Sequence, residues 1–194
     1  MGKKILIIGG SPRKSGNTAT VAGWVAEGAE FAGASVKIVD AARLKYKIAG
    51  CCSCYGCQVS QQFRCVILDE TTDVVASFPE YDVVVFASPV YFFGLSAQIK
   101  MLIDRMFSLF KFSDGKTIHK LQKVNFALIS TCGGDLDDSG IALVDDTIKK
   151  IVHFIGKTHQ SLLIPSLPPA LEQIAKREDV KEKAVEFGKK LANW

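Results

Sequence analysis

Three stretches of the chain are apolar almost without interruption: Ile5-Leu6-Ile7-Ile8, Val83-Val84-Val85-Phe86-Ala87 and Phe126-Ala127-Leu128-Ile129. Each is bounded by glycine, proline or serine, the pattern of a strand covered on both faces, so all three read as central strands. Val36-Lys37-Ile38-Val39 and His159-Gln160-Ser161-Leu162-Leu163-Ile164 mix polar residues into the run. A strand tolerates that best with one side open to water, so these two read as edges. Between the strands the period becomes helical: Val21, Val25 and Ala29 follow the first, and Ile99, Leu102, Ile103 and Met106 follow the third. Val144, Ile148, Ile151 and Ile155 repeat the pattern before Gly156, a C-cap signal. A shorter helix is predicted to start near Asp69 and to end before Pro79, whose ring clashes with a continuing helix. Val180, Ala184, Phe187 and Leu191 share one face of a last helix.

Five strands alternating with helices imply a parallel sheet joined by right-handed crossovers. With the polar-interleaved strands at the edges, the order is 2-1-3-4-5. That makes the chain an α/β three-layer sandwich of the flavodoxin-like kind, since a dinucleotide-binding Rossmann domain needs a sixth strand. Such a sheet holds its ligand at the carboxyl ends of strands one, three and four. Nothing in the 194 residues reads as a linker, so residues 1–194 are expected to form one domain.

Composition narrows the function. With 48% hydrophobic and 23% charged residues the chain is ordinary globular protein, and its net charge of +4 comes from mixed signs, as in "KREDVKEK". No basic face argues for nucleic acid. The apolar run before Gly9 has only four residues, too short for a signal-peptide core, and Leu6 occupies the position where myristoylation requires Ser or Thr. No stretch is long enough to span a bilayer, so no membrane role and a cytoplasmic location are expected. Thiols stay reduced there, and the six cysteines read as metal-binding or redox-active rather than as a disulfide framework.

Three loops fall at the ligand edge. After the first strand, "GGSPRKSGNT" offers hydroxyls at Ser11, Ser15 and Thr18, an amide at Asn17 and the unpaired N–H groups of a helix start, which together form a phosphate cradle. Gly10 and Gly16 enclose five residues and Asn17 stands where a Walker lysine belongs, so a terminal monophosphate suits the loop better than a triphosphate. The plain alternative is a strand-to-helix turn with an N-cap. After the third strand, "SPVYFFGL" places aromatic residues where a flat ring could lie, although core packing or a subunit interface would use them equally well. After the fourth, the glycines of "STCGGD" let backbone N–H groups approach a ligand. Together the loops suit a mononucleotide carrying a planar ring.

Five cysteines lie within residues 51–65. Cys51, Cys54 and Cys57 are each separated by two residues and Cys65 follows after seven more, a spacing that wraps a cubane cluster, with Gly56 giving the sharp turn. Zinc more often takes two separated pairs. Cys52 competes with Cys51 as the first ligand. A 4Fe-4S cluster, metal-free thiols and zinc all stay open on spacing alone. His119, His153 and His159 have no ligand spacing and read as structural, and Cys132, in the loop after the fourth strand, reads as a small buried thiol, with a redox-active one as the alternative. "FFGL" and "MFSLFKF" place more apolar residues near the ligand edge than a small domain readily hides, so a homodimer or homotetramer is expected.

"GSPRKSGNT", "SPVYFFGLSAQIKMLIDR" and "STCGGD", in this order and spacing, resemble the NADPH-dependent FMN reductases of the flavodoxin superfamily over residues 3 to about 135. The cysteine loop resembles that of the iron-sulfur flavoproteins within the group, whereas plain FMN reductases often keep cysteines there without a cluster. By position, the resemblance implies that Ser11, Arg13, Ser15, Asn17 and Thr18 hold the FMN phosphate. It assigns Pro89, Val90, Tyr91, Phe92 and Gly94 to the isoalloxazine and ribityl chain, and Thr131, Cys132, Gly133 and Gly134 to the pyrimidine side. No side chain is expected to serve as acid or base, because the cofactor carries the chemistry. The implied activity passes electrons from NADPH or NADH through FMN to flavin, quinone or a protein carrier. A flavodoxin-like carrier without turnover is the alternative, and the basic charge disfavours it.

Overall fold

The computed structural model describes residues 2–169 and 171–194. Its strands are β1 (Lys4–Gly9), β2 (Ser35–Asp40), β3 (Val83–Tyr91), β4 (Gly94–Leu95), β5 (Phe110–Ser113), β6 (Lys116–His119), β7 (Asn125–Thr131) and β8 (His159–Ile164). Its helices are α1 (Asn17–Phe31), α2 (Gly56–Val59), α3 (Glu70–Ala76), α4 (Ala97–Arg105), α5 (Ile141–Phe154), α6 (Leu171–Ile174) and α7 (Glu178–Ala192). The main sheet runs β2-β1-β3-β7-β8 with every neighbour parallel, which is the flavodoxin-like order. Two features go beyond five strands: β4 folds back antiparallel on the end of β3, and β5 and β6 form a separate hairpin.

The continuous apolar runs divide by parity. Ile5 and Ile7, Val83, Val85 and Ala87, and Ala127 and Ile129 face α1 and α7, whereas Leu6 and Ile8, Val84 and Phe86, and Phe126 and Leu128 face α3, α4 and α5. Successive strand residues point to opposite faces, so a strand buried on both sides must be apolar throughout. The edge strands are less buried, as their mixed patterns require: β2 keeps exposed residues and β8 is half-buried up to Ile164.

Local signals account for the helix ends. Asp69 Oδ1 accepts from Thr72 N–H at 3.0 Å and caps α3, which stops before the 3-10 turn at Phe78–Glu80. Gly156, at φ 78°, lets its own N–H donate to His153 O and the next N–H to Val152 O, a Schellman closure of α5. Among the described residues no helix is long and apolar enough to cross a membrane.

Candidate functional site

The sheet register aligns the ends of its central strands: Gly9 lies beside Ala87, and Pro89 beside Thr131. The loops leaving this edge enclose a cleft of about 320 Å³, within the range of small-ligand pockets. From the first loop it is lined by Ser11, Arg13, Gly16, Asn17 and Thr18. Gly10 seats this loop on α4, because a Cβ there would lie 2.2 Å from Ile99 Cγ1. Ser11 Oγ accepts the Arg13 N–H at 3.2 Å, and Gly16 N–H donates to Arg13 O at 3.2 Å. Helix α1 then starts on Gly16 with no side chain capping it, so its first-turn N–H groups and positive dipole end face the cleft. Thr18 is buried, and its Oγ1 lies 2.7 Å from Thr131 Oγ1, which ties the first loop to the end of β7.

The Asn17 amide is engaged differently from the donor role its position suggested. Its Nδ2 donates to Pro168 O at 2.8 Å, while its Oδ1 is buried with no partner among the described residues. Ser15 is exposed and does not line the cleft.

Pro89, Val90 and Tyr91 form the second wall. Ser88 Oγ, fully buried, donates to Pro89 O at 2.8 Å and accepts Ser96 N–H at 3.0 Å, so the wall and the start of α4 are held together. Phe92 and Phe93 form the β3–β4 turn with φ of 44° and 66°. That left-handed turn directs Phe92 into solvent at 97% exposure, and neither Phe92 nor Gly94 lines the cleft.

Thr131, Cys132 and Gly133 form the third wall, with Gly134 just beyond it. Cys132 N–H donates to Ile164 O at 3.2 Å, Leu167 N–H to Cys132 O at 3.0 Å and Ser166 N–H to Gly134 O at 2.7 Å. This ladder brings in Leu167 and Pro169, a fourth wall that the reading of motifs missed. Its signal was Pro165, Pro168 and Pro169, a stiff segment directly after a strand at the ligand edge.

The cysteine segment links β2 to α3. Cys51, Cys52 and Cys54 are exposed, Cys65 is half-buried and Cys57, on α2, is buried. All five line one small hollow against Arg105 and Phe107. Ser53 N–H donates to Cys51 Sγ at 3.4 Å, Gln58 Nε2 to Cys57 Sγ at 3.6 Å and Arg105 Nη1 to Cys65 Sγ at 3.7 Å. Burial pushes the Cys57 thiol up, a Gln58 hydrogen bond opposes this, and the Cys65 and Cys51 sulfurs add to it. The hairpin closes the outer side: Lys111 Nζ donates to Cys57 O and Ser60 O, and Gln58 exchanges hydrogen bonds with Phe110 O and Phe112 N–H. Among the described residues no group of three or more His, Cys, Asp or Glu is arranged to hold a metal ion. The hollow nevertheless gathers five thiols, and N–H groups of Ser53, Gln58 and Arg105 are directed at three of them.

The histidines line neither the cleft nor the hollow. His119 Nδ1 accepts from Leu121 N–H at 3.1 Å, and burial, with the Lys157 charge, pushes its pKa down. His159 Nε2 lies 2.9 Å from Asp145 Oδ1.

The family model for NADPH-dependent FMN reductase matches residues 3–159. An iron-sulfur flavoprotein of Methanocaldococcus jannaschii is 32% identical over 103 residues, 53% of this chain and 51% of the relative. An iron-sulfur flavoprotein of Methanosarcina thermophila is 31% identical over 137 residues, 71% of this chain and 63% of the relative. The matches thus span about half the length of these curated relatives. Among solved structures, an NAD(P)H:quinone oxidoreductase from Methanothermobacter marburgensis superposes with TM-score 0.78 at 14% identity, covering 98% of this chain and 100% of that one. An FMN-dependent NADH-azoreductase from Bacillus anthracis, solved with FMN, gives TM-score 0.69 at 16% identity, covering 98% and 100%. At such identities the likeness is one of fold.

Proposed function

The chain belongs to the NADPH-dependent FMN reductase family, and on that premise we propose that it is an FMN-dependent oxidoreductase taking electrons from NADPH or NADH. Its acceptor is a flavin, a small molecule of the quinone class or a protein carrier. The observation that carries this reading is the cleft itself: an uncapped helix start with buried hydroxyls at one end, and a flat strand wall with a glycine loop at the other. An anion fits the first and a planar ring the second.

When bound, FMN supplies hydride acceptance and one-electron release. The protein binds and orients it. First-turn N–H groups of α1, the hydroxyls of Ser11 and Thr18 and the Arg13 guanidinium would hold the phosphate, and Ser15 lies outside the cleft. Asn17 braces the Pro168 carbonyl and so fixes the fourth wall. Pro89, Val90 and Tyr91 would flank the ring and ribityl chain, with Thr131, Cys132 and Gly133 on its pyrimidine side, while Phe92 and Gly94 lie outside the cleft. The Cys132 N–H is engaged with Ile164 O, so the Gly133 and Gly134 N–H groups are the ones left to stabilise negative charge on the ring.

Cys51, Cys54, Cys57 and Cys65 would hold a 4Fe-4S cluster in this reading, supported by their place around one hollow and by the relatives' names. The exposed aromatic tip of the β3–β4 turn meets a second copy of the chain in a homodimer or homotetramer.

Titration with FMN followed by NAD(P)H oxidation with a quinone acceptor tests the central claim. Binding with turnover above the free-FMN rate is expected. Binding without turnover would leave an electron carrier, and no binding would remove both readings. After anaerobic reconstitution about four iron and four sulfide per chain are expected, with loss of both in Cys57→Ser; wild type without sulfide would remove the cluster.

A further inference from the structure

Arg105 ends α4 with its side chain almost wholly removed from water, at 1% exposure. A guanidinium survives there only if its N–H groups find partners. Nε donates to Gly50 O at 2.9 Å, and Nη2 to Ile48 O and Asp69 Oδ2, both at 2.9 Å. Nη1 faces Thr72 Oγ1 at 2.6 Å, Ile67 O and Asp69 Oδ1 at 3.1 Å, and Cys65 Sγ at 3.7 Å.

The partners are not scattered through the core. Ile48 and Gly50 sit just before Cys51, and Ile67 lies two residues after Cys65, so one side chain ties the entry of the cysteine segment to its exit. Between those ties Ser53 and Tyr55 stay left-handed at φ 54° and 56°, a conformation that non-glycine residues keep only when their surroundings enforce it. Nη1 has two hydrogens for four acceptors. One goes to the nearby Thr72 Oγ1, and the other is shared between the carbonyl and carboxylate at 3.1 Å and the sulfur at 3.7 Å, whose share grows when it carries negative charge.

We propose that Arg105 is the positioning residue of the cysteine segment. It shapes the loop so that the sulfurs face one hollow before any metal arrives, and its Nη1–H is the donor to Cys65 Sγ that raises the electron affinity of the centre held there. The second half rests on the cluster reading above, and the first does not.

Arg105→Lys keeps the charge but loses the fork, while Asp69→Asn keeps the fork and removes the carboxylate that neutralises it. In iron-free protein, shown to be folded by circular dichroism, iodoacetamide should alkylate the buried Cys57 about tenfold faster or more in Arg105→Lys, as several charge-assisted bonds are lost. A wild-type rate would overturn the pre-shaping. In reconstituted protein, the cluster's midpoint potential should fall in Arg105→Lys, where the N–H donor is gone. It should rise in Asp69→Asn, where the cation is left uncompensated. Opposite shifts are not produced by general loosening; shifts of one sign, or none, would overturn the Cys65 contact. If Arg105→Lys does not fold, the rise in Asp69→Asn decides that contact, and a wild-type Cys57 alkylation rate is the expected result in that variant. Wild type that takes up no iron and sulfide removes the cluster reading and the second half with it, while the alkylation result still decides the first.

Discussion

Asp69 is buried with Arg105, and burial alone would raise its carboxyl pKa. Hydrogen bonds from Thr71 Oγ1 and from the Lys47 and Thr72 N–H groups, together with the Arg105 charge, bring it down to about 2. In the unfolded chain the group titrates near 3.9. Its folded value is the lower one, so its stabilisation is complete above the unfolded value and is lost as pH falls from about 4 towards 2, up to about 2 kcal/mol. Urea midpoints at pH 7 and pH 3 should therefore converge in Asp69→Asn relative to wild type. An equal acid loss in the variant would place that sensitivity on other carboxylates. Asp69 was legible as a helix start and not as an ion-pair partner, because Arg105 lies 36 residues away. Asn17 has the same history at the cleft: its place in a phosphate-type loop could be read directly, but its tie to Pro168, 151 residues away, could not.

At the scale of elements, α1 and α7 cross in backbone contact. A Cβ added at Gly28 would sit 2.0 Å from Val185 O, and one at Gly188 would sit 2.0 Å from Val25 O. Gly188→Ala should cost about 1–3 kcal/mol by overpacking. Gly23→Ala in the middle of α1, where a Cβ meets nothing within 4 Å, should instead gain about 0.5–1 kcal/mol. Urea denaturation of both variants checks this; equal stabilities would mean that the helices do not approach so closely. Two hairpins show how uneven turn signals are. Asp114-Gly115 joins β5 to β6 with φ of 49° and 72°, and Asp-Gly is a pair suited to a tight hairpin turn. Phe92-Phe93 makes a similar left-handed turn without either residue favouring it, so β4 could be found only from the folded chain.

For the whole molecule, the aromatic tip of the β3–β4 turn is the exposed feature nearest the cleft, with Phe92 at 97%, Phe93 at 55% and Tyr91 at 44% exposure. Bulky residues in a strained, solvent-facing turn fit a surface that a second copy covers. Light scattering at micromolar concentration should give a dimer or larger, and Phe92→Asp should shift it towards monomer; monomeric wild type would remove the idea. Local patterning was enough to specify the parallel sheet, its order and the edge where the cleft opens. Unbroken apolar runs of four or five residues bury stably only when helices cover both faces, and polar-interleaved runs must lie at the edges. It also determined the phosphate-type loop and the sulfur-rich segment, whose residues are adjacent in the chain. Tertiary structure alone decided the fourth wall of the cleft, the Thr18–Thr131 tie and the Arg105 clamp on the cysteine segment. Those depend on groups tens of residues apart meeting within hydrogen-bond distance, and local patterning carries no record of such meetings.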